Sequence, residues 1–69
     1  MDKKELSKFI GKKIKEIREK KKISQEELGG RAGLHRTYIG YIEGGRYTPS
    51  IYTIYKIAKA LGVELKELV

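Results

Sequence analysis

Apolar residues recur at intervals of three and four along most of the chain, which is the spacing of one buried side of an α-helix. The inward positions expected from this pattern are Leu6, Ile10, Ile14, Ile17, Leu28, Ala32, Leu34, Ile39, Ile42, Ile51, Ile54, Ile57, Ala58 and Leu61, and Phe9 lies beside the first four. No stretch alternates apolar and polar residues as a half-buried strand does, and no segment is repeated. The sequence therefore predicts one compact all-α domain over residues 1–69, with five helices of which Val63–Val69 forms the last.

Two short helices joined by a tight turn are predicted for Gln25–Gly44. Ser24 precedes the first of them and Glu27 follows three residues later, which is the pattern of a capping box. Gly33 comes directly after its last residue, where a positive φ commonly ends a helix. Gly29 lies where the second helix should approach. Because it has no Cβ, the two backbones can come close together.

This stretch, QEELGGRAGLHRTYIGYIEG, resembles the helix-turn-helix of the Cro/C1-type (XRE) family of DNA-binding repressors. The resemblance continues on both sides, through IGKKIKEIREKKKISQEEL and YTPSIYTIYKIAKALGVELKEL. Within the family, HRTYIGYIE is most similar to the controller proteins of restriction-modification systems. The resemblance implies a lambda-repressor-like domain whose second motif helix enters the major groove of double-stranded DNA.

The positive charge of the chain is unevenly distributed. Of the net charge of +7, residues 1–22 carry +6, with ten Lys and Arg against four Asp and Glu. Such a concentration favours a polyanion through long-range steering and counterion release. Two other interpretations remain open for the first helix, Lys3 to about Lys21. It could be an ordinary solvated surface with Lys/Glu pairs one turn apart, or a cationic helix lying on a membrane surface.

Three residues on the outer side of the predicted helix Arg36–Glu43 are candidates for reading DNA bases. Arg36 can donate two hydrogen bonds to guanine O6 and N7, although it could also contact a phosphate or stay solvated. Thr37 offers a hydroxyl and a methyl group, or is only a helix-start residue. Tyr41 could meet a thymine methyl or a phosphate, or pack on its neighbours. Gly40 either removes one base contact or lets the helix lie deeper in the groove.

Six further residues are expected at the DNA phosphates. They are Gln25, His35, Tyr38, Gly44, Gly45 and Arg46. The resemblance implies a phosphate bond for Gln25, at a helix start whose dipole attracts anions, and a sugar-phosphate contact for Tyr38. The resemblance also implies contacts with the DNA backbone by Arg46 and by the amides of Gly44 and Gly45. His35 occupies the N-cap position and is expected to be a cap or a phosphate neighbour.

Little other chemistry is available. The chain has no cysteine, one histidine and one aspartate, so we expect no metal site, no cofactor and no enzymatic activity. Glu43 is expected to form a structural ion pair with Arg31 or Arg18. No apolar run approaches the roughly 18 residues of a membrane span, and the charged N-terminus lacks the apolar core of a signal peptide. The sequence thus predicts a cytoplasmic protein with no evident small-molecule ligand.

A homodimer is expected, because one reading helix covers only a few base pairs and a single small domain releases few counterions. The predicted interface consists of Tyr52, Tyr55, Leu65, Leu68 and Val69, although Leu65 and Leu68 could instead cover the monomer's own core. The predicted function is a sequence-specific transcriptional regulator bound to a palindromic operator, with phage-type repressor and restriction-modification controller both open. The alternatives are an antitoxin-like autoregulator and a protein-bridging adaptor that uses the same fold.

Overall fold

A computed structural model describes residues 1–69 and contains four α-helices and one 3-10 helix. The α-helices are α1 (Lys3–Lys20), α2 (Gln25–Ala32), α3 (Arg36–Glu43) and α4 (Ile51–Leu61), and the 3-10 helix spans Leu65–Glu67. The prediction of an all-α domain is confirmed, but the count of five α-helices is wrong. The last segment makes only one tight turn, because that turn already carries Leu68 into the core.

The helix starts and stops follow the side chains predicted to set them. Ser24 accepts a hydrogen bond from the Glu27 amide at 2.9 Å, and Gly33 has a φ of 71°. Ser50 caps α4 in the same way. The predicted capping box is only half formed, because the Glu27 carboxylate pairs with Arg31 one turn later instead of turning back to the Ser24 amide.

Twelve buried apolar residues form one core between the helices. They are Ile10, Ile14, Ile23, Leu28, Ala32, Ile39, Ile42, Ile54, Ile57, Ala58, Leu61 and Leu68. Two residues predicted to point inward, Leu6 and Ile51, are exposed instead, and so is Phe9, which was placed beside the inward residues of the first helix. Leu6 and Phe9 lie outside the line of α1 residues that faces the core, and Ile51 is the first residue of α4, one turn before that helix reaches the core.

α1 is the longest helix, and the isoleucines of its apolar side are buried or partly buried inside the protein. Ile10 and Ile14 belong to the core, and Ile17 is partly buried against it. The solvent side is dominated by lysine and glutamate. No helix of the protein combines the length and the apolar character that crossing a membrane requires.

Two glycines allow backbones to touch and so fix the position of α3. A Cβ on Gly11 of α1 would overlap the carbonyl oxygen of Ile42 and lie 2.8 Å from that of Glu43. A Cβ on Gly29 of α2 would overlap the carbonyl oxygen of Leu34, which confirms the predicted close approach at the turn. The role of Gly11 was not apparent from the sequence, because its partners lie far along the chain. α3 is therefore held by α1 on one side and by the α2 turn on the other.

Candidate nucleic-acid interface

A buried ion pair joins α1 to the end of α3. Arg18 Nε donates to Glu43 Oε2 at 2.6 Å and Arg18 Nη2 donates to Glu43 Oε1 at 3.0 Å, so the guanidinium holds the carboxylate with two hydrogen bonds. Arg18 Nη1 also donates to the carbonyl oxygen of Ile23 at 2.8 Å, before α2 begins. Of the two partners predicted for Glu43, the structure selects Arg18. Arg31 pairs with Glu27 instead.

The environment of Arg18 keeps its charge fixed. The pKa of Arg18 is raised above its ordinary value, chiefly because Glu43 accepts its hydrogen bonds and attracts its charge, which outweighs the opposing effect of burial. A raised pKa stabilises the folded state at every pH below the ordinary pKa and loses this effect only as the pH rises through the raised one. The ion pair therefore holds α3 equally well across the whole neutral range.

Gln25 is also part of this network. Its Nε2 donates to Glu43 Oε1 at 3.0 Å, and the side chain is half-buried beside Gly40, where an added Cβ would lie 3.7 Å from it. The sequence associated Gln25 with a phosphate alone, and the link to Glu43 was not predicted. The start of α2 and the exposed side of α3 are thereby joined through one amide.

The outer side of α3 presents the residues predicted to read bases. Arg36 and Thr37 are exposed, and Tyr41 is half-buried one turn further on. Arg36 Nη1 lies 3.7 Å from Glu26 Oε2, and both side chains are mostly exposed, at 65% and 79%. An exposed pair at this distance contributes little, so the Arg36 guanidinium can exchange the carboxylate for another acceptor.

Three tyrosines and one arginine form an ordered cluster at the C-terminal half of α3. The Tyr47 ring lies 5.5 Å from the Tyr38 ring and 5.2 Å from the Tyr41 ring, edge-on to the latter. The Arg46 guanidinium carbon lies 4.7 Å from the centroid of the Tyr41 ring. The Tyr41 ring thus packs on its neighbours, which is one of the alternatives that the sequence leaves open for this residue. The part played by Tyr47 was missed, because a loop residue has no periodicity to reveal it.

His35 caps α3 through its side chain. Its Nδ1 accepts a hydrogen bond from the Thr37 amide at 3.0 Å, which confirms the predicted cap. Because Nδ1 acts as an acceptor, the proton of the neutral imidazole is assigned to Nε2. The exposed ring can therefore donate an N–H to an anion while it caps the helix.

The loop after α3 does not offer the free amides that were expected. The Gly44 amide donates to the carbonyl oxygen of Gly40 and the Gly45 amide to that of Ile42, each at 3.0 Å. The prediction that these two amides are available to phosphates needs correction, because their hydrogen bonds close the end of α3. Gly45 has a φ of 74°, so its role in the structure is to turn the chain. Any anion binding at this loop falls to side chains such as that of Arg46.

The predicted dimer surface is smaller than the sequence indicated. Leu68 is fully buried in the monomer, so its assignment to an uncovered surface is wrong. It fills the space between α4 and the 3-10 turn, where Leu65 is partly buried as well. Tyr52, Tyr55 and Val69 are exposed and remain available to a partner.

Comparison with known proteins identifies the family of this arrangement. A helix-turn-helix family model matches residues 14–68. Control protein C.BamHI of Bacillus amyloliquefaciens is 48% identical over 61 residues, which cover 87% of this chain and 75% of that protein. An uncharacterised HTH-type transcriptional regulator of Sinorhizobium fredii, y4dJ, is 37% identical over 65 residues, covering 94% of this chain and 84% of that one.

A solved structure shares both the fold and much of the sequence. The restriction-modification controller protein C.AhdI of Aeromonas hydrophila matches with a TM-score of 0.88 and 42% identity, over 94% of this chain and 97% of that one. The family model covers most of the chain, and the matched regions span between 75% and 97% of the length of these relatives. The protein therefore belongs to the helix-turn-helix family of Cro/C1 (XRE) type.

Proposed function

We propose that the protein is a sequence-specific regulator of transcription that inserts α3 into the major groove of double-stranded DNA. The observation that carries the proposal is the two-sided character of α3. On the inner side, Ile39 and Ile42 are fully buried, and Glu43 is fixed by Arg18. On the outer side, Arg36 and Thr37 are exposed to solvent, and their side chains have no structural role beyond a weak ion pair. A short helix whose inner side is fixed by the rest of the protein, and whose exposed N-terminal end is basic, has the form that groove recognition requires.

Within this docking, Arg36 supplies the principal base contact. Its guanidinium leaves Glu26 and donates two hydrogen bonds to guanine O6 and N7. Thr37 contacts the neighbouring base through its hydroxyl or its methyl group. Tyr41, whose ring is held by Arg46 and Tyr47, directs its hydroxyl toward the groove wall.

Side chains around α3 bind the phosphates that flank these bases. His35 donates from Nε2, and Gln25 uses the amide hydrogen and oxygen that its bond to Glu43 leaves free. Tyr38 and Arg46 contact the strand on the far side of the helix. Phosphate contacts set the position of the protein on DNA, and the base contacts select the sequence.

The regulator acts as a homodimer on a palindromic operator. Tyr52, Tyr55, Leu65 and Val69 form the contact, since they are exposed or partly exposed residues with apolar surface on α4 and in the C-terminal segment. Two-fold symmetry places the two α3 helices about 34 Å apart, one turn of DNA. The similarity to C.BamHI and C.AhdI favours a controller of a restriction-modification system among regulators of this form.

Replacement of Arg36 by alanine tests the base contact. We expect the substitution to lower the affinity for the operator by roughly 1–3 kcal/mol and to relax the preference at one base pair of each half-site, because a two-bond contact to guanine is lost. The measurement is the dissociation constant for the operator and for its single-base variants, at one salt concentration.

Lys13→Ala is the matched control for charge. Lys13 is a half-buried residue of α1, with its Nζ 5.1 Å from the centroid of the Phe9 ring, and its replacement removes one positive charge outside α3. It should leave the base preference unchanged. Equal base preferences for Arg36→Ala and the unaltered protein would show that Arg36 does not read the operator.

A further inference from the structure

A basic cleft lies between the N-terminal half of α1 and the loop that follows α3. It encloses about 600 Å³, and none of its lining residues is apolar or acidic. The cationic side chains that line it are Lys3, Lys4, Lys8 and Arg46. The positive charge of α1 is therefore not spread evenly around the helix. Part of it lies together with the charge of Arg46 in one concave site.

The two walls of the cleft are fastened to each other. The Ser7 hydroxyl donates to the carbonyl oxygen of Lys3 at 2.9 Å and lies 2.6 Å from the Thr48 hydroxyl. Since Ser7 has only one hydroxyl hydrogen, Thr48 is the donor in the second bond. Ser7 is buried and Thr48 is exposed, so this chain of hydrogen bonds joins α1 to the loop at the edge of the protein interior.

Gly45 provides a second fastening. A Cβ on Gly45 would lie 2.7 Å from Cγ and 3.0 Å from Cα of Lys8, so the loop backbone packs directly against this lysine. The base of the Lys8 side chain is thereby held against the loop, and this side chain lines the cleft. A lysine that has already lost part of its freedom loses less entropy when it binds an anion.

The four cations of the cleft have no acidic partners. Every ion pair in the protein involves other side chains, and Arg46 instead lies over the Tyr41 ring. Positive charges that converge without a carboxylate repel one another, and a bound anion removes that repulsion. Through Arg46 and Tyr41 the cleft is continuous with the outer side of α3.

We infer that this cleft binds the phosphodiester backbone of the DNA strand that passes the C-terminal end of α3, with Lys4 and Lys8 of α1 as direct phosphate ligands beside Arg46. The inference rests on the proposed function and adds α1 to the DNA contacts. Lysine suits this role because its ammonium is a point charge whose three N–H groups can donate to phosphate oxygens from several directions. The lysines of α1 then position the DNA in addition to attracting it from a distance.

A Lys4→Gln/Lys8→Gln double variant tests the inference through the salt dependence of binding. Each phosphate contact to double-stranded DNA contributes about 0.9 to the slope of log affinity against log salt concentration. We therefore expect the slope to decrease by about 1.8, equally for operator and random DNA, with no change in their affinity ratio. The matched control is Lys13→Gln/Lys20→Gln, which removes the same charge from α1 at positions outside the cleft and should change the slope far less.

A second measurement uses the unaltered protein. Acetylation of lysines with and without DNA should show Lys4 and Lys8 protected in the complex and Lys13 as reactive as before. The same experiment with inorganic phosphate at matched ionic strength should give no such protection, and equal protection would overturn the inference in favour of a site for small anions.

Failure of the inference differs from failure of the proposed function. Equal slopes in the two double variants, or an unprotected Lys4 and Lys8, would overturn the cleft as a phosphate site and leave the Arg36 result untouched. Absence of any preference for operator over random DNA in the unaltered protein would overturn the proposed function alone, and absence of any DNA binding would overturn both.

Discussion

Replacement of Gly11 by alanine is expected to destabilise the domain by about 3 kcal/mol or more, a large part of the stability of so small a protein. The added methyl group would overlap the carbonyl oxygen of Ile42 and lie 2.8 Å from that of Glu43. Both atoms belong to the backbone of α3, so no side-chain rotation can relieve the overlap. α1 and α3 must move apart, and the core between them opens. Denaturant unfolding followed by circular dichroism measures the effect.

Gly30→Ala is the control for this prediction, because it makes the same chemical change in a helix but is expected to change the stability of the domain in the opposite direction. A Cβ on Gly30 would have no neighbour within 4 Å, and alanine favours a helix by about 1 kcal/mol relative to glycine. This variant should therefore be more stable than the original protein by up to that amount. Equal stabilities of Gly11→Ala and Gly30→Ala would contradict the close crossing of α1 and α3.

Replacement of Glu43 by alanine is expected to cost about 3–5 kcal/mol, because it leaves the buried charge of Arg18 without its partner. Gln25 would lose its acceptor in the same step, so the start of α2 should loosen together with the end of α3. The loss should be the same across the neutral pH range, since an arginine side chain stays charged there with or without its carboxylate partner. Unfolding curves at several pH values provide the measurement.

Two comparisons separate this effect from loss of any acidic residue. Glu27→Ala removes an exposed partner of Arg31 and should cost no more than about 0.5 kcal/mol. The Arg18→Met/Glu43→Leu double variant removes both buried charges and should recover most of the loss. If Glu43→Ala and Glu27→Ala proved equally stable, the ion pair would not be what holds α3 in place.

The parts of the fold that local chemistry determines were predictable from the sequence. Ser24 and Ser50 cap the helices that follow them, and Gly33 turns the chain at positive φ. Each of these signals acts within a few residues, so spacing alone reveals it. The exposure of Arg36 and Thr37 follows from the same periodicity, which turns Ile39 and its neighbours inward.

The features that sequence reasoning missed depend on residues far apart in the chain. Gly11 resembles any other helical glycine until α3 lies against it. Leu68 was assigned to an exposed surface, because nothing in a seven-residue segment shows that it folds back onto α4. The amides of Gly44 and Gly45 were expected to be free, since the tightness of the last turn of α3 is visible only in its hydrogen bonds.

The candidate site divides in the same way. The residues proposed to read bases belong to one helix, and the exposure of Arg36 and Thr37 could be predicted from that helix alone. The cleft between Lys8 and Arg46 joins the first helix to a loop nearly forty positions later, and no periodicity connects them. The choice between two interpretations of α1, a solvated surface and a polyanion site, depends on the position of this loop beside the helix. The sequence alone does not reveal that position.

Selection of bound sequences from a random pool of double-stranded DNA tests the central claim most directly. The proposal predicts an enriched inverted repeat whose half-site centres lie about 10 base pairs apart, one turn of DNA, with a guanine in each half-site opposite Arg36. A pool that remains random after repeated rounds, while the protein stays folded, would contradict the claim that α3 reads DNA sequence.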